Sequence, residues 1–198
     1  ICNLEAHVSN LEKFGVPIVV CLNSYDTDTS LEQQVVIDWC KERGVLVAVS
    51  TAYRDGGGGA IPLALAVEDA LTIPGDFHYL YEDSDSIYDK IYKLATEIYH
   101  ANKVEYSEEA LNKISILEKN NLSYLPICGA KTQYSLSDDA KKLGNPTNYS
   151  IYVRDIELYH GAGFITVLFG DILRMPGLPK HPNYEKIDLV DNEIVGLS

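Results

Sequence analysis

Length, composition and charge already exclude several classes of protein. The chain has 198 residues, of which 46% are hydrophobic, so we expect one domain or two small ones with a real core. The formal net charge of −13 disfavours a nucleic-acid phosphate surface and an anionic membrane surface, because both bind clusters of lysine and arginine.

The first half of the sequence predicts alternating helices and strands. Continuous β-branched apolar segments indicate strands that are buried on both faces, as in a parallel sheet. Thr29 followed by Glu32 is a capping-box pattern, and Gly44 ends the helix that this box starts. The predicted elements are a helix at Ile1–Leu11, a strand at Gly15–Asn23, a helix from Thr29 to Gly44, a strand at Val45–Val49, a glycine-rich loop at Ser50–Gly59 and a helix at Ala60–Thr72. Because the chain starts with Ile1 inside a predicted helix, we interpret it as a piece of a longer protein.

The second half has a different character. After a connector, the pattern predicts helices at Asp85–His100 and from the capping residue Ser107. The remaining predictions are a strand at Leu125–Cys128, a polar loop at Ala130–Pro146 with one helical turn at Ser137–Lys142, strands at Ile151–Tyr159 and Phe164–Phe169 joined by a bulged turn, and a rigid loop at Leu173–Pro182. The predicted fold class is α/β: a parallel, doubly wound sheet domain at residues 1–100, followed by a smaller α+β domain at residues 101–198.

Two polar loops follow the two predicted parallel strands. Ligands bind at the carboxyl ends of strands in open α/β sheets, so both loops are candidate binding elements. Tyr25 lies in the first loop and Tyr53 in the second, where their rings could face each other across a planar ligand. The glycines Gly56–Gly59 would let the backbone approach that ligand closely, although no Lys-Ser or Lys-Thr follows them as in a phosphate-binding loop. On position alone an ordinary turn with a helix cap is the favoured interpretation of the first loop, whereas a flexible connector and a binding role are about equally favoured for the second.

Other polar segments point to no chemistry by themselves. The segments Ala130–Asp139 and Gly161–Phe164 are read most simply as a surface loop and a hairpin. The histidines have no metal-ligand spacing, and no nucleophile lies in a recognisable relation to a base. We expect the four cysteines, Cys2, Cys21, Cys40 and Cys128, to be reduced and buried, as in a cytoplasmic protein.

An ordered set of segments resembles formate–tetrahydrofolate ligases along essentially the whole chain. The most specific segments are Leu125–Cys128, Ala130–Asp138, Gly161–Phe164 and Met175–Lys180, with support from Phe14–Pro17, Thr27–Thr29 and Val195–Leu197. The resemblance implies a cytoplasmic homotetramer that joins formate to tetrahydrofolate with ATP and Mg²⁺, through formyl phosphate, and that monovalent cations activate. It also implies that the phosphate-handling residues belong to an N-terminal domain that this chain lacks. We therefore expect no catalytic residue and no metal site here, and no activity from the chain alone.

The resemblance further implies the positions of the binding residues. A phenylalanine and a tryptophan clamp the pterin ring in the family, and Tyr25 and Tyr53 occupy the matching positions. The residues that we assign to the pterin pocket by this matching are Tyr25, Tyr53, Val49, Asp26 and Gly58. The residues that we assign to the nucleotide side are Lys131, Thr132, Met175, Pro176 and Lys180. Asp55 and Gly58 replace a lysine and a glutamate that the family usually has beside the clamp.

Two other interpretations remain open. Asn23-Ser24-Tyr25-Asp26 after a strand is similar to the guanine-reading element of GTPases, although Ser24 stands where that element has lysine. Alternatively, the helices at Asp85–His100 and Ser107–Asn120 could make the chain a non-catalytic oligomerisation module, although such apolar stripes are more often plain core.

Overall fold

A computed structural model describes residues 1–172, 180–191 and 193–196. The helices are α1 (Cys2–Glu12), α2 (Ser30–Glu42), α3 (Ala52–Asp55), α4 (Ile61–Leu71), α5 (Ile87–Lys93) and α6 (Glu108–Lys119), with 3₁₀ helices at Gly56–Ala60 and Asn183–Lys186 and a π-helix at Leu94–Ile98. The strands are β1 (Val19–Asn23), β2 (Leu46–Ser50), β3 (Lys103–Tyr106), β4 (Ile127–Ala130), β5 (Ser150–Tyr159), β6 (Phe164–Phe169), β7 (Asp188–Val190) and β8 (Glu193–Val195). The α/β fold class predicted from the sequence is confirmed.

Residues 1–73, here called the N-terminal unit, contain a parallel pair of strands. β1 and β2 pair in register from Val19 opposite Leu46 to Asn23 opposite Ser50. Within the described part of the chain, these two strands pair only with each other. The predicted capping box starts α2: the Thr29 side chain accepts from the Glu32 amide, and the Glu32 carboxylate accepts from the Thr29 amide. Gly44 has a φ of +69°, which fits its predicted place at the end of α2.

Four strands form the second sheet, here called the C-terminal sheet, in the order β3-β5-β6-β4. β3 pairs with β5 and β4 pairs with β6 in parallel, whereas β5 and β6 form an antiparallel hairpin. The main buried cluster covers this sheet with side chains from α5 and α6, among them Ile87, Ile91 and Ile114. α5 therefore packs on the C-terminal sheet, and the domain boundary near residue 100 stays a prediction.

Several local predictions were wrong. Residues 137–142 are not helical, because the Ser137 hydroxyl accepts from the Asp139 amide, a local bond that competes with helix formation. The glycine-rich loop is helical. The helix predicted at Asp85–His100, by contrast, is present as α5 and the π-helix Leu94–Ile98 that continues it. The bulge lies within β5, between Val153 and Asp155, instead of in the hairpin turn.

The burial of the first two strands and of the cysteines also differs from expectation. No residue of β1 is buried, and β2 has only Ala48 and Ser50 buried, because within the described residues each of these strands has a single neighbouring strand. Cys40 is buried as expected, whereas Cys2, Cys21 and Cys128 are exposed. The loop predicted at Leu173–Pro182 lies largely outside the described residues.

Candidate functional site

The two loops predicted to bind a ligand do meet at one edge of the β1–β2 pair. Asn23 and Ser50 are register partners at the carboxyl ends of their strands, and the Ser24 amide donates to the Ser50 carbonyl at 2.9 Å. Because the strands are parallel, both chains leave the sheet in the same direction. The loop after β1 and the helical segment after β2 are therefore held side by side.

Tyr25 and Tyr53 are in direct contact at this edge. Their ring centroids are 5.6 Å apart and their planes are tilted by 52°. Both rings face solvent, with 50% of Tyr25 and 79% of Tyr53 exposed. A planar ligand stacked between two rings needs them roughly 7 Å apart, since each stacked contact takes about 3.5 Å. The two ring centroids would have to move about 1.4 Å further apart to admit such a ligand.

Tyr25 is positioned by hydrogen bonds on both sides. The Asn23 amide nitrogen Nδ2 donates to the Tyr25 hydroxyl at 2.9 Å, and the Tyr25 backbone amide donates to the Asp28 carboxylate at 2.8 Å. The Tyr25 hydroxyl therefore has a hydrogen-bond partner. Downstream, the bonds from Thr29 lower the pKa of Glu32, so the capping box is a charged anchor for the loop.

Arg54 joins the two loops and was not singled out from the sequence. Its Nη1 lies 3.0 Å from Asp26 Oδ1, and its Nε and Nη2 each lie 3.0 Å from the carboxylate of Asp55. These bonds raise the pKa of Arg54, and the Arg54 bond lowers the pKa of Asp55. Asp26 and Tyr53 are therefore connected through the residue next to Tyr53. In the sequence, the only signal was an arginine adjacent to an aromatic residue of the second loop.

The four glycines have unequal roles in holding the second loop. A Cβ atom on Gly59 would lie 2.5 Å from Thr51 Oγ1, and the Thr51 amide donates to the Gly59 carbonyl at 3.1 Å. Gly56 has a φ of +61°, a conformation that side chains disfavour. Gly58 is predicted to belong to the pterin pocket. A Cβ atom on Gly58 would have no heavy atom within 4 Å. Val49, also assigned to the pocket, is half-buried in β2 opposite Leu22.

The predicted nucleotide-side residues lie in a different part of the molecule, after β4 of the C-terminal sheet. Lys131 Nζ donates to the Thr132 carbonyl at 3.0 Å and to the Ser135 carbonyl, and lies 5.2 Å from the centre of the Tyr99 ring. Burial lowers the pKa of Lys131, and the side chain of Thr132 is buried. Lys180 is exposed, whereas Met175 and Pro176 lie outside the described residues.

The Lys131 ammonium group donates to two carbonyl oxygens of its own loop, which leaves one of its three hydrogens for another ligand. In residues 1–172, 180–191 and 193–196, no three His, Cys, Asp or Glu side chains come together as a metal site. None of the helices that the structure describes is both long and apolar enough to cross a membrane.

Comparison with known proteins gives consistent results along the whole chain. The family model described as formate–tetrahydrofolate ligase matches residues 1–198. The formate–tetrahydrofolate ligase of Petrotoga mobilis is 49% identical over 198 residues, and that of Bacteroides thetaiotaomicron is 43% identical over 198 residues. Each alignment covers 99% of this chain but 36% of the relative, so the chain spans about a third of the length of these curated relatives.

Proposed function

The chain belongs to the formate–tetrahydrofolate ligase family, and from this premise we propose that the whole protein joins formate to tetrahydrofolate. In this proposal, formate takes the terminal phosphoryl group of ATP to give formyl phosphate and ADP, and N10 of the folate attacks the formyl carbon to give 10-formyltetrahydrofolate, phosphate and a proton. The whole protein is a cytoplasmic homotetramer that uses Mg²⁺ and a monovalent cation. This chain supplies the pterin side of the site and is inactive alone.

The observation that carries the proposal is the aromatic pair at the carboxyl ends of β1 and β2. Tyr25 and Tyr53, which the resemblance matches to the two clamp residues, follow adjacent parallel strands and have solvent-facing rings. Stacking on such rings contributes about 1 kcal/mol per ring beyond the burial of apolar area.

No step with ATP is assigned to the residues of this chain. Lys131, which the resemblance assigns to the nucleotide side, donates to the Thr132 and Ser135 carbonyls, and its role toward ATP stays a prediction. When bound, ATP would supply the leaving group that makes formate reactive. The residues described here would only bind and orient the folate, and would exclude water from both faces of its ring.

Calorimetric titration with tetrahydrofolate and, separately, with GTP tests the proposal. We expect heat with tetrahydrofolate that is lost in Tyr25→Ala and in Tyr53→Ala, because each variant removes one stacking face. Tyr25→Phe is the matched control: it keeps the ring, loses only the hydroxyl bonded to Asn23, and should retain binding. Tyr124→Ala, at an exposed tyrosine outside the candidate pocket, should also retain it.

The same titration separates the proposal from its rival. Heat with GTP and none with tetrahydrofolate would favour the guanine-nucleotide interpretation of Asn23–Asp26. Heat with neither ligand would contradict the assignment of the pterin side to this chain. An isolated chain that forms 10-formyltetrahydrofolate would contradict its predicted inactivity.

A further inference from the structure

A cavity of about 1530 Å³ opens between α1, the connector at residues 74–84 and the loop before β4. We call it the connector cavity. This volume exceeds the roughly 300–1,000 Å³ of ordinary small-molecule pockets, so the cavity has room for a ligand of that size. Its described lining includes four aromatic residues and two carboxylates: Phe14, Tyr79, Tyr81, Tyr124, Glu82 and Asp83.

The connector cavity is separate from the candidate pterin site. Phe14, which lines the cavity, precedes β1, whereas Tyr25 follows the carboxyl end of that strand. The 5 residues of β1 span roughly 16 Å. The cavity therefore has walls of its own and can take a different ligand.

Two walls of the cavity are joined by a buried lysine. Lys90 has no exposed surface, and its Nζ donates to the Asp83 carbonyl of the connector at 2.9 Å. The same atom donates to the carbonyls of Ser123 and Leu125, in the loop before β4, at 2.6 Å and 3.2 Å. A buried ammonium group is costly unless it is hydrogen-bonded, and here each of its three hydrogens has an acceptor. The connector and the loop are therefore held in a fixed relation to each other.

The third wall, α1, is fixed as well. Asn10 of this helix is buried, and its Nδ2 donates to the Ile98 carbonyl at 2.8 Å. On the connector, the Tyr81 hydroxyl accepts from the Ile127 amide at 3.0 Å. A cavity whose walls are already ordered loses little conformational entropy when a ligand binds.

The surface of the cavity favours a positively charged ligand with an apolar body. Tyr79 and Tyr124 are 76% and 57% exposed, and the faces of such rings attract ammonium groups. Glu82 and Asp83 are exposed on the same connector as Tyr79. Among the described residues that line the cavity, none is a lysine or an arginine. The net charge of −13 further raises the concentration of cations near the chain.

We propose that the connector cavity is a second ligand site, for a small organic cation that carries a substituted ammonium group on an apolar body. The tyrosine rings and the two carboxylates bind the ammonium group. Aliphatic side chains of the lining, among them Leu11, Leu94 and Ile98, cover the body. An inorganic cation fits this surface less well, because it gains nothing from the aliphatic lining. The inference does not depend on the proposed function.

A matched pair of probes tests the site. This chain is titrated with para-(trimethylammonio)benzyl alcohol and with para-tert-butylbenzyl alcohol, which has the same shape without the charge. Calorimetry is done in about 0.15 M potassium chloride, so that a bare monovalent cation is in excess and exposed charges are screened. We expect saturable binding of the charged probe and about tenfold weaker binding of the neutral probe, because contacts between a cation and aromatic rings contribute that much.

Variants locate the bound cation. Tyr124→Ala should weaken binding of the charged probe about tenfold, and Glu82→Gln with Asp83→Asn should weaken it about threefold. Tyr134→Ala, at a tyrosine that is 62% exposed and lies outside the described lining, should leave binding unchanged. Tyr25→Ala should also leave it unchanged, although this variant is expected to lose tetrahydrofolate. The thermal midpoint of Tyr124→Ala should equal that of the unmodified chain, since this ring already faces solvent.

Three results would overturn the inference. The first is no saturable binding of the charged probe. The second is a neutral probe that binds as tightly as the charged one, because the site would then be purely apolar. The third is binding that Tyr124→Ala leaves intact or that Tyr25→Ala abolishes, which would place the cation outside the connector cavity. Tetrahydrofolate binding depends on Tyr25 and not on Tyr124, so a failure of this site is distinguishable from a failure of the proposed function.

Discussion

The N-terminal unit and the C-terminal sheet bury different kinds of residue. Every member of the main buried cluster lies between Ile87 and Phe169, and most members are large aliphatic or aromatic side chains. The buried hydrophobic residues of the N-terminal unit are Ala6, Val8, Cys40, Ala48 and Ala70, none larger than valine. Its larger side chains are half-buried or, like Leu65 and Leu71, exposed. Helices and strands therefore form in the N-terminal unit although the described residues do not bury its large apolar side chains.

The largest difference between the regions should appear on truncating a matched pair of isoleucines. Ile165→Ala, in β6 with no exposed surface, should lower the free energy of unfolding by about 2–5 kcal/mol, because it leaves a cavity in a closed core. Ile61→Ala, at a side chain that is mostly in water, should cost about 0.5 kcal/mol or less. Chemical denaturation of both variants checks this comparison. Equal losses would show that the N-terminal unit has a closed core after all.

A smaller effect should separate two neighbouring glycines within the N-terminal unit. Gly59→Ala should destabilise by about 1–3 kcal/mol, since its new methyl group would overlap Thr51 at the start of the binding loop. Gly58→Ala meets open space and should change the unfolding free energy by about 0.5 kcal/mol or less. Thermal and denaturant unfolding of the two variants give the comparison. A costly Gly58→Ala would mean that the loop is packed more tightly than its geometry indicates.

The smallest expected effect is a fall in the free energy of unfolding of the C-terminal sheet at alkaline pH. Burial raises the pKa of Tyr99 to about 12, so the folded state keeps this hydroxyl protonated after the unfolded chain has begun to ionise near its ordinary value of about 10. The stabilisation is complete below the unfolded pKa and is lost as pH rises through the folded pKa, by on the order of 1–2 kcal/mol. Tyr99→Phe should flatten this slope in unfolding measurements between about pH 9 and 12.

Tyr106 makes the pH experiment more specific. Burial raises its pKa to about 12 as well, so Tyr99→Phe should remove only part of the alkaline slope. Tyr92→Phe, at an exposed tyrosine, serves as the control and should leave the slope unchanged. A slope that Tyr99→Phe does not alter would contradict the inferred shift.

The sequence identified those features of the candidate site that depend on chain order. Asn23 and Ser50 end two apolar segments, which was enough to predict that the loops carrying Tyr25 and Tyr53 share one edge of a parallel sheet. The capping box of Thr29 and Glu32 was predictable because its partners are three residues apart. The family was identified from ordered motifs, and the comparisons confirm it.

Features that depend on side chains meeting across the fold were not predictable. The hydrogen bond from Arg54 to Asp26 joins residues 28 positions apart in the chain. The direct contact of the two tyrosine rings depends on the conformations of both loops. The helical turn predicted at Ser137–Lys142 was wrong because hydroxyl-to-backbone bonds of Ser135 and Ser137 replace it. The pterin and nucleotide roles of individual residues stay predictions.

The sequence by itself determined the α/β class, most element positions and the family, because periodicity, caps and motifs are local properties of the chain. Only the tertiary structure decided what each element buries, since burial depends on which surfaces come together in space. The apolar pattern of β1 predicted two covered faces, and the same kind of pattern in β6 is almost completely buried, whereas β1 is not. An apolar residue favours burial, but whether it is buried depends on which other elements pack against it in the fold.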